Sequence, residues 1–292
     1  MRLGIVIPVG PGRQANLEQV LEALGRQTYR PAAILIVQDG PTEDGSSREG
    51  SLEVPVLRVR IEKHRPGDEQ PRNVGVRCLV ERIPDVSHVH FLDSDVIVGP
   101  DCLEHLVGAL EQGPEDRIVV APYDWLPFGI RGPLPQLSND PRWPSFEQYD
   151  PPEVRYGDLA AGLACFSGNL LWPIDRFIEV GGFWNELHHG RCEDGELGLR
   201  AVAMGVGISF AKHARGWHLW HPVDMQAAMQ RNARDVPMLN DRHPWVQQGG
   251  VLMVDRDGKA FDVRCPGCQS VVPTIGWWEH ATACGGLDLP VR

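Results

Sequence analysis

Apolar residues along the chain fall into two alternating patterns. Leu3 to Pro8, Ala32 to Val37, Val54 to Ile61, Val89 to Leu92 and Ile118 to Ala121 are short apolar runs, with the length and continuity of strands buried on both faces. Between them, apolar residues recur at helical spacing: Leu17, Val20, Leu21 and Leu24, then Val74, Cys78 and Leu79, then the segment from Asp101 to about Gln112. Pro71 suits the first turn of its helix, and Asp101 followed by Glu104 reads as a capping box for the next. Strand, helix and strand in succession predict a parallel sheet with right-handed crossovers, in which ligands bind beyond the carboxyl ends of the strands.

From Tyr123 to Gly157 the pattern is lost. Pro127, Pro133, Pro135, Pro141, Pro144, Pro151 and Pro152 interrupt it, with Trp125 and Trp143 among them, and a long stretch of this kind reads as a functional loop or lid. Phe166 to Trp172 returns to strand, Ile174 to Val180 to helix, and Gly181-Gly182-Phe183 to a turn. A helix opening near Glu193, a strand from Gly207 to Ala211 and a helix from Met225 to Asp235 follow, after which Pro237, His243-Pro244 and Gly249-Gly250 loosen the chain. A first domain is expected over residues 1–254 and a second segment over 255–292.

The fourth run ends in Asp93-Ser94-Asp95. If the strand continued, both carboxylates would point the same way; if it stopped, they would flank a turn. Like charges that close repel unless a cation or dense hydrogen bonding offsets them, and oxygen ligands favour a hard ion such as Mg²⁺ or Mn²⁺. Aspartate is also common in turns after strands, so a turn accounts for the pair equally well at this point. Asp39, before Gly40, has the same two readings. Lys63-His64-Arg65 and Arg72 gather positive charge near a helix start, a suitable place for a phosphate or simply a solvated helix end. Glu193, Asp194 and Glu196 crowd another helix start, where the helix dipole explains one acid but does not require three.

Composition narrows the partners. With 28 basic and 39 acidic residues among 292, a formal charge of −11, the chain is poorly suited to a nucleic-acid backbone or an anionic membrane as its main partner. No window reaches a membrane-spanning length, the first apolar run is too short for a signal peptide, and the seven cysteines read as reduced thiols, so a cytoplasmic protein is expected.

Taken in order, these motifs resemble the GT-A fold of family 2 glycosyltransferases over roughly residues 3–222. Ile5-Val6-Ile7-Pro8-Val9 matches the family's first strand, Val37-Gln38-Asp39-Gly40 its strand-end acid for the nucleotide base, and Arg72-Asn73-Val74-Gly75 its helix start. Asp93-Ser94-Asp95 matches its DxD motif, Ser167-Gly168-Asn169 its glycine loop, Gly181-Gly182-Phe183 its GGF turn, Glu193-Asp194 its acidic pair and His218 its late histidine. Gln38 stands where Asp is frequent, and Gly10-Pro11 replaces the usual aromatic and Asn. The resemblance implies an α/β GT-A (nucleotide-diphospho-sugar transferase) fold with a mostly parallel central sheet, and an inverting, metal-dependent transfer of a sugar from a UDP- or GDP-sugar. It implies Asp194 as general base with Glu193 beside it. It implies donor contacts at Pro8, Val9, Asp39, Arg72, Asn73, Asp93 and Gly168, and Mn²⁺ or Mg²⁺ on Asp95 and Asp93, completed by His218 with His221 as its rival. Trp184, Trp217 and Trp220 are candidates for stacking on sugars or for the core. The acceptor is a glycan, a protein, a small molecule or a modified nucleic acid base.

Beyond residue 254, Cys265, Cys268, His280 and Cys284 form C-x2-C-x11-H-x3-C, a spacing close to that of small zinc fingers. Structural Zn²⁺ there would supply folding energy to a segment too short for its own core. Four basic side chains (Arg256, Lys259, Arg264, Arg292) against five acidic ones in residues 255–292 give little support to nucleic acid as its partner. Two other readings stand beside the transferase. A sugar nucleotidyltransferase needs a Gly-rich loop with a Lys, of which Gly10-Pro11-Gly12-Arg13 is a poor version, and a non-catalytic glycan- or protein-binding module would hold its ligand without nucleotide or metal.

Overall fold

Strand β1 (Leu3–Val9) is buried along its whole length, and the main sheet grows outward from it. The computed structural model describes residues 1–41, 50, 52–114, 116–126, 128–134, 139–140, 142, 146, 154–157, 159–188, 192–221, 225–243, 262–264 and 270–273. The chain divides into two compact units, Met1–Pro222 and Val223–Arg292. In the first, β2 (Ala33–Asp39) and β4 (His88–Leu92) flank β1 in parallel, and β3 (Val56–Ile61) lies parallel to β2. β8 (Asn169–Pro173) runs antiparallel to β4 and to β6 (Ile118–Val120), while β9 (Ile208–Phe210) is parallel to β6. The strand order is β3-β2-β1-β4-β8-β6-β9, the mostly parallel α/β sheet expected from the apolar runs.

Side chains alternate across a strand, so β1 feeds two cores. Ile5 and Ile7 join Leu17 and Leu21 of α1 (Gln14–Leu24) and Leu103 and Leu106 of α3 (Cys102–Glu111). Val6 joins Val74 and Leu79 of α2 (Pro71–Arg82) and Phe177 of α5 (Ile174–Val180) on the other face. Helix α2 lies so close to β1 that a Cβ on Gly75 would stand 2.3 Å from Val6 Cγ1. A larger residue at position 75 would push away the helix whose first turn carries Arg72 and Asn73. The helices α4 (Leu159–Leu163) and α6 (Glu193–Ala203) complete this unit.

A second sheet, unpredicted, closes over the end of β4. It consists of β5 (Val96–Val98), β7 (Tyr123–Trp125) and β10 (Gly216–His218), with β10 antiparallel to β5 and parallel to β7. Three residues per strand are too few to show a period. Part of the stretch expected to be a loop or lid is therefore strand, and Asp124, Asp140 and Arg142 in it are pinned. Asp124 pairs with Arg215 and accepts the Asn139 and Asp140 amides at 2.7 and 3.2 Å, while Arg142 forms a buried pair with Asp140 and lies 4.9 Å from the centre of the Tyr123 ring. A buried charge is tolerated where paired and hydrogen-bonded in this way.

Two local expectations are corrected. Asp101 makes no side-chain cap to α3, because Glu104 instead accepts the Thr28 hydroxyl at 2.7 Å and Asp101 faces His105 at 3.3 Å. In the second unit, helix α7 (Met225–Arg242) continues through Pro237, where a loosening was expected; the helix-forming residues on both sides outweigh the one missing N–H. The second unit also holds the hairpin of β11 (Asp262–Arg264) and β12 (Val271–Pro273). The expected boundary at 254/255 and the expected zinc ligands Cys265, Cys268, His280 and Cys284 lie outside the described residues. Cys78, Cys102, Cys165 and Cys192 form no disulfide among the described residues, and no helix among the described residues is long and apolar enough to cross a membrane.

Candidate active site

The carboxyl ends of β1, β2 and β4 open toward one place, as the sequence predicts. β4 ends at Leu92, the chain turns, and β5 begins at Val96, whose N–H donates to the Asp93 carbonyl at 3.1 Å. Asp93 and Asp95 therefore flank a turn, and the turn sends them to different surroundings.

Asp93 meets a resident cation. Its Oδ1 accepts from Arg72 Nη2, on the first turn of α2, and Arg72 is 3% exposed. The same guanidinium lies 3.9 Å from Glu193 Oε1, on the first turn of α6. Burial works against the charge of Arg72, but Asp93, Asp194 and Glu193 more than offset it, and its pKa is raised. Behind Asp93 the glycine loop closes: the Asp93 amide donates to the Gly168 carbonyl at 3.2 Å, and a Cβ on Gly168 would stand 2.8 Å from the Tyr123 ring. The neighbouring Ser167 amide donates to Asp194 Oδ2 at 3.0 Å, so this dipeptide ties the Asp93 backbone to the Asp194 carboxylate. Asp194 Oδ1, shielded from solvent, has no hydrogen-bond partner among the described residues. Burial, then the charge of Glu193, pushes the Asp194 pKa up to about 7, against the pull of Arg72. A carboxylate with one oxygen fixed, one oxygen waiting and a pKa near neutrality is equipped to take a proton.

Asp95 meets imidazoles. His218 Nε2 lies 3.5 Å from its Oδ1 and His221 Nε2 3.4 Å from its Oδ2, and one ligand atom from each of the three residues falls within 4.8 Å of the others. The pairing of β10 with β5 sets this up, opposing His218 to Val96, and the Leu219 amide donates to the Asp95 carbonyl at 2.7 Å. The His218 ring packs against Trp125, with centroids 4.0 Å apart. Burial lowers its pKa in spite of Asp95, leaving a neutral imidazole with a lone pair for a metal. One carboxylate and one or two imidazoles suit a divalent ion. The rivalry between His218 and His221 ends with both beside Asp95. Arg13, which the sequence did not single out for this place, joins them: its Nη1 is 3.5 Å from Asp95 Oδ2 and its Nη2 is 3.1 Å from His221 Nδ1.

The other expected residues divide between the cleft and its frame. Pro8 and Val9 end β1; Val9 lines a small cleft with Gly10, Pro11, Gly12, Arg13, Gln14, Gln38 and Pro41. Gln38, in place of an acid, donates to the Val9 carbonyl at 3.1 Å and accepts from Arg58 at 2.9 Å, tying β1 to β3. Asp39 Oδ1 accepts the His64 amide at 2.6 Å. Asn73 is held by the GGF turn, with Oδ1 on the Phe183 amide and Nδ2 on the Phe183 carbonyl, both at 2.8 Å. Gly182 has φ 65° there, and a Cβ on it would stand 2.6 Å from Asn73 Oδ1. Trp217 is buried in the core with its indole N–H on the Leu134 carbonyl at 3.2 Å, the Trp184 carbonyl accepts from Gln70 at 3.2 Å, and Trp220 is exposed against Phe128.

Residues 5–168, more than half of the chain, match glycosyl transferase family 2, and the chain belongs to that family. Validoxylamine A glucosyltransferase of Streptomyces hygroscopicus subsp. limoneus is 26% identical over 267 residues, covering 83% of this chain and 57% of its own. The amylovoran biosynthesis glycosyltransferase AmsE of Erwinia amylovora is 24% identical over 226 residues, covering 70% of this chain and 75% of its own. Among solved structures, residues 1–349 of S. aureus TarS in complex with UDP-GlcNAc match with a TM-score of 0.59 at 14% identity, over 82% of this chain and 64% of that one. The complex of the same protein with UDP gives a TM-score of 0.55 at 15% identity, over 78% of this chain and 63% of that one. This chain thus spans less than two thirds of the Streptomyces relative and of both TarS chains. At such identities the structural likeness shows the fold, an α/β GT-A-like one with a mostly parallel central sheet.

Proposed function

We propose that this member of glycosyl transferase family 2 is a metal-dependent, inverting glycosyltransferase that moves a sugar from a nucleotide-diphosphate sugar to an acceptor hydroxyl. The observation that carries the reading is Asp194, a carboxylate anchored on the Ser167 amide with its second oxygen unpartnered and its pKa pushed up to about 7. In this reading Asp194 takes the acceptor's proton as the hydroxyl attacks the anomeric carbon opposite the leaving diphosphate, which inverts that centre. Glu193 keeps Asp194 basic through its negative charge. Arg72 fixes Asp93, whose side chain, 30% exposed, faces the donor. Asp95 and His218 would hold Mn²⁺ or Mg²⁺, whose contribution when bound is to neutralise charge on the diphosphate. Cys265, Cys268, His280 and Cys284 would hold a structural Zn²⁺.

TarS has been solved with UDP-GlcNAc and with UDP, and a relative is named a glucosyltransferase, so UDP-GlcNAc and UDP-glucose are the first donors to test, ahead of GDP-sugars. Thermal-shift and calorimetric titrations with each donor, with and without Mn²⁺, should show a stabilisation that requires both. Absence of binding to every nucleotide sugar in Mn²⁺ would sink the transferase reading. With a donor found, NMR of the transferred anomeric centre checks inversion, and a retained configuration would remove Asp194 from its role.

A further inference from the structure

Arg13 takes no part in the chemistry just described, yet it is held firmly against the ion-binding residues. Its carbonyl accepts the Asn16 and Leu17 amides at 3.1 and 2.9 Å, fixing its backbone at the start of α1. A guanidinium carries only N–H donors, so in its 3.1 Å contact with His221 Nδ1 the imidazole is the acceptor. The ring proton of a neutral His221 is then on Nε2, the atom 3.4 Å from Asp95 Oδ2. An Nε2 that carries a proton has no lone pair to offer a metal. While Arg13 is in place, His221 is withheld, and Asp95 and His218 are left as the ligand pair.

We propose that Arg13 sets the metal preference of this site by withholding His221. One carboxylate and one imidazole, with the remaining positions left to water and diphosphate oxygens, suit Mg²⁺ and Mn²⁺. Freeing the second imidazole creates a set of one oxygen and two nitrogens, which favours Ni²⁺ and Zn²⁺. This rests on the reading of Asp95 and His218 as holders of a divalent ion. The positive charge of Arg13 also repels any cation, so the diagnostic quantity is the difference between metals.

Calorimetric titration of the full chain with Ni²⁺ and with Mn²⁺ tests it, counting only the binding that Asp95→Asn removes. Arg13→Ala is expected to tighten Ni²⁺ binding about tenfold or more, within the range over which groups that support metal ligands act, and Mn²⁺ binding much less. His221→Ala introduced into Arg13→Ala should abolish the excess of the Ni²⁺ gain over the Mn²⁺ gain, leaving only the equal gain that follows from the lost charge, and Arg13→Lys, which keeps both donor and charge, should retain the wild-type preference. An equal gain for both metals in Arg13→Ala, or an excess of the Ni²⁺ gain over the Mn²⁺ gain that survives loss of His221, overturns the assignment. If Asp95→Asn removes no Mn²⁺ or Ni²⁺ binding in any variant, the ion reading itself fails and this inference falls with it, an outcome distinguishable from the first two.

Discussion

Asp93 and Asp95 are separated by a single residue, but Asp93 is bonded to a buried guanidinium while Asp95 faces two imidazoles at 3.4 and 3.5 Å. The turn between β4 and β5 causes the difference, sending one side chain toward α2 and α6 and the other toward β10. On the Arg72 side every member is fixed by the fold: Asp93 by Arg72, Asp194 by the Ser167 amide, Asn73 by the Phe183 backbone. On the Asp95 side, oxygen and nitrogen atoms stand within 4.8 Å of one another, at separations that a direct hydrogen bond does not need and an intervening ligand would fill. In the proposed reading, one short motif thus joins a preorganised acid-base frame to the residues that would hold the ion. The two halves should respond differently to the same kind of substitution.

The largest difference should appear in turnover. Asp194→Asn keeps the shape of the side chain and removes the basic oxygen, and it should lower kcat by about 10³-fold, within the range expected for a lost general base, with Mn²⁺ binding at Asp95 unchanged by calorimetry. Retained activity would reduce the Arg72 side to structural work. Stability should separate the halves almost as far. Arg72→Met leaves Asp93, Glu193 and Asp194 crowded without their cation and should lower the unfolding free energy by about 3–5 kcal/mol, as for other broken buried pairs. Asp95→Asn, which removes a carboxylate lying 3.4–3.5 Å from His221, His218 and Arg13, should change it by less than about 1 kcal/mol in urea unfolding without metal. Equal losses would mean that Asp95 is as structural as Asp93.

These halves were not equally legible in the sequence. β1, β2 and β4 are apolar runs of five to seven residues, long enough for continuity to mark them as buried parallel strands, and the strand ends then place Asp39 and Asp93. β5, β7 and β10 have three residues each and borrow their order from one another, so no local signal announces the sheet that brings His218 to Asp95. Arg13 was illegible for a related reason: its partner His221 is 208 residues away, and nothing around Gly12-Arg13 hints at it. Asn73 was legible as part of a motif but not in its contacts, because the turn that engages its amide depends on the left-handed conformation of Gly182, φ 65°.

Asn73 gives a smaller test, inside the Arg72 half. Its carboxamide bonds both backbone groups of Phe183 at 2.8 Å and approaches Asn185 at 3.1 Å. Asn73→Ala should cost about 2 kcal/mol of stability by leaving part-buried backbone groups without partners, and should leave the KM for the donor within about twofold wherever the protein is folded. A large rise in KM with little change in stability would make Asn73 a donor contact and not part of the frame.

The finest discrimination comes from pH. Asp194 carries a pKa pushed up to about 7, first by burial and then by Glu193, while Arg72 and the Ser167 amide pull it down. A base must be deprotonated to act, so kcat/KM should fall as pH drops through about 7, approaching a tenfold loss per unit below it. The sign of a change follows from the causes. Glu193→Gln removes the like charge, lowers the Asp194 pKa and moves this acid limb to lower pH, so that the variant at pH 6 keeps a larger share of its own plateau than the wild type does. Asp95→Asn, in the other half, should lower the plateau and leave the limb where it is, because Asp95 is not among the groups that set the Asp194 pKa. A limb that moves with Asp95 and not with Glu193 would place the titrating base on the metal side and reverse the division of labour between the two carboxylates.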